Sequence, residues 1–106
     1  MNPAPPKRGW VDQAPLNWFY VYLLISEREN SLYIGCTSNL RKRLILHKNG
    51  KVYSTRRMLP MALIYYEAYK SKKDAFEREK KLKHQGSALR NLKPRLKNSY
   101  LTGGAG

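Results

Sequence analysis

The sequence predicts a single α+β domain in which a small, three-stranded, largely antiparallel sheet is flanked by helices. Two observations carry the sheet. Trp18 to Ile25 and Ser31 to Gly35 are rich in aromatic and branched residues, and the polar stretch Ser26-Glu27-Arg28-Glu29-Asn30 between them reads as the turn of a hairpin. Met61 to Tyr69 is a third strand-like run. The helices rest on capping residues and helical spacing after the hairpin and again after the third run. The order strand, strand, helix, strand, helix, helix suits a mixed domain. A chain of 106 residues with 42% hydrophobic content has room for one domain and a modest core.

In chain order, residues 1–17 hold four of the six prolines and few apolar side chains. They are expected to form a flexible N-terminal arm, with Lys7 and Arg8 adding to the basic footprint. The globular domain is expected over 18–98 and a flexible tail over 99–106, Gly-rich from Thr102. Ser38 or Asn39 can cap a helix running to about Lys48, with Asn49-Gly50 as its stop signal. Leu40 and Leu44 are its inward residues, and Arg43 and His47, four apart, share one face. Lys51 to Pro60 is a basic loop carrying Tyr53, Arg56 and Arg57. Ser71 and Asp74 form a capping box for a helix that runs to about His84, before Gly86. A last helical segment follows Ser87, with Leu89, Leu92 and Leu96 at helical spacing; Pro94 must kink it or start a new turn.

Charge narrows the function. Twenty-one Lys and Arg stand against seven Asp and Glu, a formal net charge of +14. Between Lys70 and Lys97 only Asp74, Glu77 and Glu79 oppose a dense run of lysines and arginines. Self-repulsion at this density costs stability, so a polyanionic partner is implied, the rival being a Lys-rich surface kept for solubility. The longest apolar run, Trp18 to Ile25, is too short to span a bilayer, and the basic segment lacks the broad Trp, Phe and Leu face of a membrane-surface helix. The N-terminus has no charged region followed by an apolar one, which argues against secretion. Cys36, the lone cysteine, cannot form an internal disulfide, and no Cys/His spacing resembles a zinc site. A cytoplasmic protein is expected.

Two groups of residues suggest chemistry. By helical period, Ala75, Phe76, Glu79 and Leu82 fall on one face, which places an acid in a row that should be apolar. A carboxylate there needs a partner, either a structural ion pair with a neighbouring Lys or with Arg43, or a divalent metal. Tyr20-Val21-Tyr22 and Tyr33-Ile34-Gly35 lie on paired strands, so their hydroxyls can meet near one end of the hairpin, although a strand tyrosine is more often simple packing.

These elements resemble the GIY-YIG nuclease family when read in order. Tyr20-Val21-Tyr22 is followed after ten residues by Tyr33-Ile34-Gly35, then by Asn39-Leu40-Arg41-Lys42-Arg43-Leu44 with His47, and later by Ala75, Glu79, Leu82 and Lys83. The resemblance covers about residues 18 to 83 and is nearest to small bacterial members similar to the nuclease module of excision-repair proteins. It implies a Mg²⁺ or Mn²⁺ held by Glu79 and mostly by water, Tyr33 or Tyr22 helping to take a proton from the attacking water, and Arg43 stabilising charge on the phosphate. His47, one turn along from Arg43, is placed to contact the phosphate or share the proton. Tyr20 stands where the family motif has glycine and Val21 where it has isoleucine, while Cys36 replaces a lysine of several members. Asn91 and Asn98 are both available to match a late asparagine seen in many members.

Lys42, Lys48, Lys51, Arg56 and Arg57 surround this site in sequence and are expected to contact phosphates, and Tyr53 offers a face on which an unpaired base can stack. The sequence thus points to a metal-dependent endonuclease acting on DNA, with structure preferred over sequence because no helix-turn-helix or zinc finger accompanies it. RNA as substrate, and a non-catalytic nucleic-acid-binding protein of the same fold, are the open alternatives. A module that docks on an acidic protein is a more distant one.

Overall fold

The computed structural model describes residues 18–100, so the N-terminal arm and the tail beyond Tyr100 lie outside the described residues. Strands β1 (Phe19–Ser26), β2 (Leu32–Thr37) and β3 (Met61–Tyr69) form one antiparallel sheet in the order β2-β1-β3. Helix α1 (Leu40–Lys48) follows the hairpin, and α2 (Lys72–His84) and α3 (Gly86–Leu92) follow β3. The fold is therefore the α+β arrangement expected from the sequence, with β1 in the centre and β2 at a free edge.

Local chemistry sets the boundaries. In the hairpin turn the Ser26 amide donates to Ser31 O and the Asn30 amide to Ser26 O, both at 2.8 Å. Asn30 takes the left-handed conformation (φ 58°) that asparagine tolerates better than most residues. Asn39, rather than Ser38, caps α1, its side chain accepting from the Lys42 amide at 3.0 Å. Gly50, at φ 72°, supplies the stop. Ser71 caps α2 by accepting from the Asp74 amide at 3.3 Å.

Strand pleating divides the sheet into two working faces. On one, Val21, Leu23 and Ile34 meet Ala75 and Leu82 of α2 and Leu92 and Leu96 beyond it, forming the main core. On the other lie Tyr22, Leu24 and their cross-strand partners Gly35 and Tyr33, with α1 supplying His47, the buried residue of that helix. Leu40 and Leu44, the expected inward residues of α1, are only half-buried.

Two expectations need revision, and a third, that Pro94 kinks its segment or starts a new turn, holds. Phe76 does not join the buried row of α2: it is 50% exposed, and the Lys72 ammonium lies over its ring at 5.4 Å. The helix instead meets the sheet through Ala75 and Leu82, a narrower stripe. The C-terminal segment divides at Pro94, with α3 ending at Leu92 and Lys93–Leu96 forming a 3-10 turn with the proline in its first positions. Ser99 and Tyr100, assigned to the tail from sequence, are helical, and Tyr100 packs against the core. Among the described residues no helix is long and apolar enough to cross a membrane.

Candidate active site

The site begins with a cross-strand pair. Tyr22 sits directly opposite Gly35, and a Cβ built on Gly35 would lie 2.5 Å from both Cζ and the hydroxyl oxygen of Tyr22. Only glycine leaves room for the ring, which explains the third residue of Tyr33-Ile34-Gly35. Tyr33 is opposite Leu24, two positions along and on the same face, so the tyrosine rings meet diagonally with centroids 6.2 Å apart. His47 completes a three-ring cluster, 5.7 Å from Tyr22 and 5.1 Å from Tyr33, edge-on to both.

Within the cluster the Tyr22 hydroxyl and His47 Nε2 are hydrogen-bonded at 2.8 Å. On the far side of the imidazole, Nδ1 is 2.8 Å from Thr55 Oγ1, and Thr55 Oγ1 donates to Val52 O at 3.4 Å. Tyr22, His47 and Thr55 are all buried. Thr55 is not singled out by the sequence; it lies in a loop read for its cations and Tyr53, and comes under His47 because the loop folds back against α1.

Arg43, one helical turn before His47, interacts with the hydroxyls of Tyr22 and Tyr33. Among the described residues its Nε is buried without a hydrogen-bond partner, an uncommon condition for a charged donor and one that an anionic ligand would relieve. Burial pushes the Tyr22 hydroxyl up to about 12, against the opposing pull of Arg43. Burial also lowers the affinity of His47 for a proton, and the Arg43 charge lowers it further. Near neutral pH the pair is therefore an uncharged phenol and an uncharged imidazole.

Glu79 lies apart from this cluster. It belongs to α2, on the core face, and its charge reaches Cys36 of β2, where it adds to burial in raising the thiol. Its side chain is 21% exposed and pairs with Lys83 Nζ at 3.1 Å, not with Arg43. Cys36, on which Glu79 acts, and the tyrosines thus point to opposite faces of the sheet, with β2 an edge strand. Among the described residues no group of three or more His, Cys, Asp or Glu can enclose a metal. A partly exposed single carboxylate does fit an ion that keeps most of its water, as Mg²⁺ does.

Of the predicted phosphate contacts, Lys42, Lys48, Lys51, Arg56 and Arg57 are all exposed. Lys42 and Lys48 flank Arg43 and His47 on α1. Arg56 lies over the ring of Tyr53 at 5.0 Å, and that tyrosine is 84% exposed. Arg28, from the hairpin turn, joins this bank by donating to Arg57 O at 2.6 Å. Asn91 lies on α3 and Asn98 in the helical residues after the 3-10 turn.

A second charged cluster belongs to the core face. Glu67 accepts from Nε and Nη2 of Arg78, both at 2.9 Å, and from the hydroxyls of Tyr65, at 2.5 Å, and Tyr69. Burial alone would raise its carboxyl, but Arg78 and the two phenols outweigh it and hold Glu67 below the ordinary carboxylate range. With its oxygens so engaged, this acid ties β3 to α2 and has little capacity left for a ligand. The spacing Tyr65-x-Glu67-x-Tyr69, one face of a strand, was its visible signal.

Comparison with known proteins agrees with this geometry. A model described as the GIY-YIG catalytic domain matches residues 18–93. A UPF0213 protein of Streptococcus pneumoniae serotype 4 is 42% identical over 67 residues, covering 62% of this chain and 67% of the relative. UPF0213 protein CPE1444 of Clostridium perfringens is 41% identical over 81 residues, covering 76% and 83%. UPF0213 protein spr1390 of S. pneumoniae strain R6 is 43% identical over 61 residues, and the matched stretch spans only 61% of that relative. No solved structure gives a match. The family model covers both tyrosine strands, the arginine–histidine helix and the glutamate helix in one stretch, and the chain belongs to the GIY-YIG family of nucleases.

Proposed function

We propose that this protein is a divalent-metal-dependent endonuclease that hydrolyses phosphodiester bonds in DNA and selects its substrate by structure more than by sequence. The observation that carries this reading is the cluster itself: a buried Tyr22–His47 hydrogen bond beside an arginine whose Nε is buried without an acceptor. A phosphate oxygen is the partner that such a guanidinium lacks, and its fixed fork suits charge developing on phosphorus. Glu79 would hold Mg²⁺ or Mn²⁺, which when bound supplies Lewis-acid polarisation of the phosphate.

The chain's own residues divide the remaining work. Tyr33, half-buried on the edge strand, faces the incoming water and orients it. Its hydroxyl takes the water's proton as it passes its own to the enclosed Tyr22, whose proton moves to His47 Nε2. The Arg43 charge weakens His47 as a base in the free protein; a phosphate bound to Arg43 would offset that charge, so the base strengthens when substrate is in place. The exposed cations of α1 and the following loop hold the backbone without reading bases, which suits a structure-preferring enzyme.

The test is cleavage of labelled single-stranded, duplex, flapped and branched DNA, and of RNA, with Mg²⁺ or Mn²⁺. Glu79→Ala should abolish cutting and leave most of the binding. Its ion pair with Lys83 involves a lysine side chain 41% exposed, so its loss should barely affect stability. If the wild type cuts nothing in that panel, or the variant cuts equally well, the assignment fails. Salt-sensitive binding without any cleavage would identify a non-catalytic member of the family.

A further inference from the structure

We propose that Thr55 is a positioning residue that holds His47 in the Nδ1–H tautomer, leaving Nε2 bare to accept the Tyr22 hydroxyl proton. The inference deepens the nuclease reading, because it supplies the orienting third member behind the Tyr22–His47 pair. It follows from a count of donors and acceptors around two buried groups.

Consider Tyr22 first. Its side chain is fully buried, so no bulk water can accept its hydroxyl proton. Arg43 is a donor only. His47 Nε2, at 2.8 Å, is the acceptor directly bonded to it, and the Tyr33 hydroxyl interacts with it more weakly. If Nε2 carried a hydrogen, the phenol would face two donors and its own proton would keep only the weaker Tyr33 contact in a buried site, a loss of up to about 1–3 kcal/mol. A bare Nε2 removes that conflict.

A neutral imidazole carries one N–H, which then belongs to Nδ1. Thr55 Oγ1 lies 2.8 Å from Nδ1 and has its own proton directed at Val52 O, 3.4 Å away. A lone pair is left for the imidazole. Proton directions along the chain are therefore consistent: Tyr22 O–H to Nε2, Nδ1–H to Thr55 Oγ1, Thr55 O–H to Val52 O. When His47 takes the Tyr22 proton, Nε2 becomes a donor while Nδ1–H still points at the same oxygen, so Thr55 serves both protonation states without rearranging. The hydrogen bond made by one ring nitrogen sets the state of the other, as in any oriented histidine base.

The loop is built to hold that oxygen still. Thr55 is completely buried, its amide donates to Val52 O at 3.1 Å, and its own carbonyl accepts from the Met58 amide at 2.9 Å. Neither backbone bond depends on the side chain, so Thr55→Val changes the hydroxyl and little else in shape.

The test uses the full chain with ¹⁵N-labelled histidine and long-range ¹H–¹⁵N correlation near pH 7. The chain has two histidines, and exposed His84 serves as the internal reference. Wild-type His47 should show a protonated-type Nδ1 and an unprotonated-type Nε2. Thr55→Ser should keep that pattern, and Thr55→Val should shift it toward Nε2–H or a mixture of tautomers. In cleavage, Thr55→Val should lose on the order of 10²-fold in kcat with little change in KM, and Thr55→Ser should recover most of it. An Nε2–H signature in the wild type, or a Thr55→Val variant that keeps the wild-type tautomer, overturns the proposal. The spectrum needs neither metal nor nucleic acid, so a chain that cuts nothing would refute the nuclease reading and leave the tautomer to be decided. If Thr55→Val does not fold, Thr55→Ala, which also removes the hydroxyl, takes its place with the same expected and refuting spectra.

Discussion

Gly35→Ala should damage this protein far more than a single methyl group suggests. The added Cβ would sit 2.5 Å from Cζ and the hydroxyl oxygen of Tyr22 and 2.8 Å from Cε1. Ordinary contact begins near 3.4 Å, so the ring must withdraw by about 0.9 Å. It has nowhere easy to go, being fully buried, hydrogen-bonded to His47 at 2.8 Å and bordered by Tyr33. Overpacking of this kind costs about 1–3 kcal/mol. A shift of that size also takes the hydroxyl out of hydrogen-bond range of Nε2, adding about 1–3 kcal/mol for a buried polar group left unsatisfied. A total of about 2–6 kcal/mol is expected, read as a lower midpoint in urea unfolding at unchanged slope. The double-mutant cycle with Tyr22→Leu isolates the cause: without the ring, Gly35→Ala should cost less than about 1 kcal/mol, giving a coupling of about 1 kcal/mol or more. Additive effects of the two substitutions, or a Gly35→Ala variant as stable as wild type, would refute the claim that glycine is there for the tyrosine.

Two further predictions separate structure from chemistry. Glu67→Ala, which strands Arg78 and two phenols on the core face, should cost about 3 kcal/mol of stability while leaving cleavage per folded molecule near wild type. Because Glu67 is held below the ordinary carboxylate range, its unfolded form binds the proton more readily. Its contribution should be intact above about pH 4.3 and disappear as pH falls through the lower folded value, an acid-side loss that Glu67→Ala lacks in urea titrations. Arg43→Lys should keep the charge, and so nearly the same salt dependence of DNA binding, yet lose on the order of 10²-fold in kcat, since an ammonium cannot reproduce the fork.

The parts of the fold legible in the sequence were those governed by short-range rules. Strand alternation and the polar turn define the β1–β2 hairpin, and Asn39, Gly50 and Ser71 mark helix ends through their own backbone hydrogen bonds or dihedrals. Arg43 and His47 share a face because helical spacing requires it. Register was less accessible: the sequence brings two tyrosine clusters together, but that Tyr22 faces Gly35 and meets Tyr33 only diagonally is set by how the strands pair. Phe76 was misplaced because a broad apolar stripe was assumed for α2, whereas a small alanine and one leucine suffice to seat that helix. Thr55 follows no periodicity at all, since its partner is eight residues back across an irregular loop. Glu67 had a visible same-face pattern, but the choice of Arg78 among so many cations is tertiary.

Glu79 is compensated in the way one of its two sequence readings expects, by an ion pair with a neighbouring lysine. An acid in an apolar row bears a desolvation cost and must be compensated. In the fold that row is only half-buried at Glu79, and Lys83, one turn on, already compensates it. Desolvation therefore places no strong demand on this residue. What distinguishes it is location: α2 lies against the face of edge strand β2 opposite the tyrosines, and Glu79 there is close enough to act on Cys36, next to the glycine that floors Tyr22. A free strand edge is a liability unless something uses it. Under the proposed nuclease function, a phosphodiester lying along that edge is what Arg43, on one face, and Glu79, on the other, would approach together.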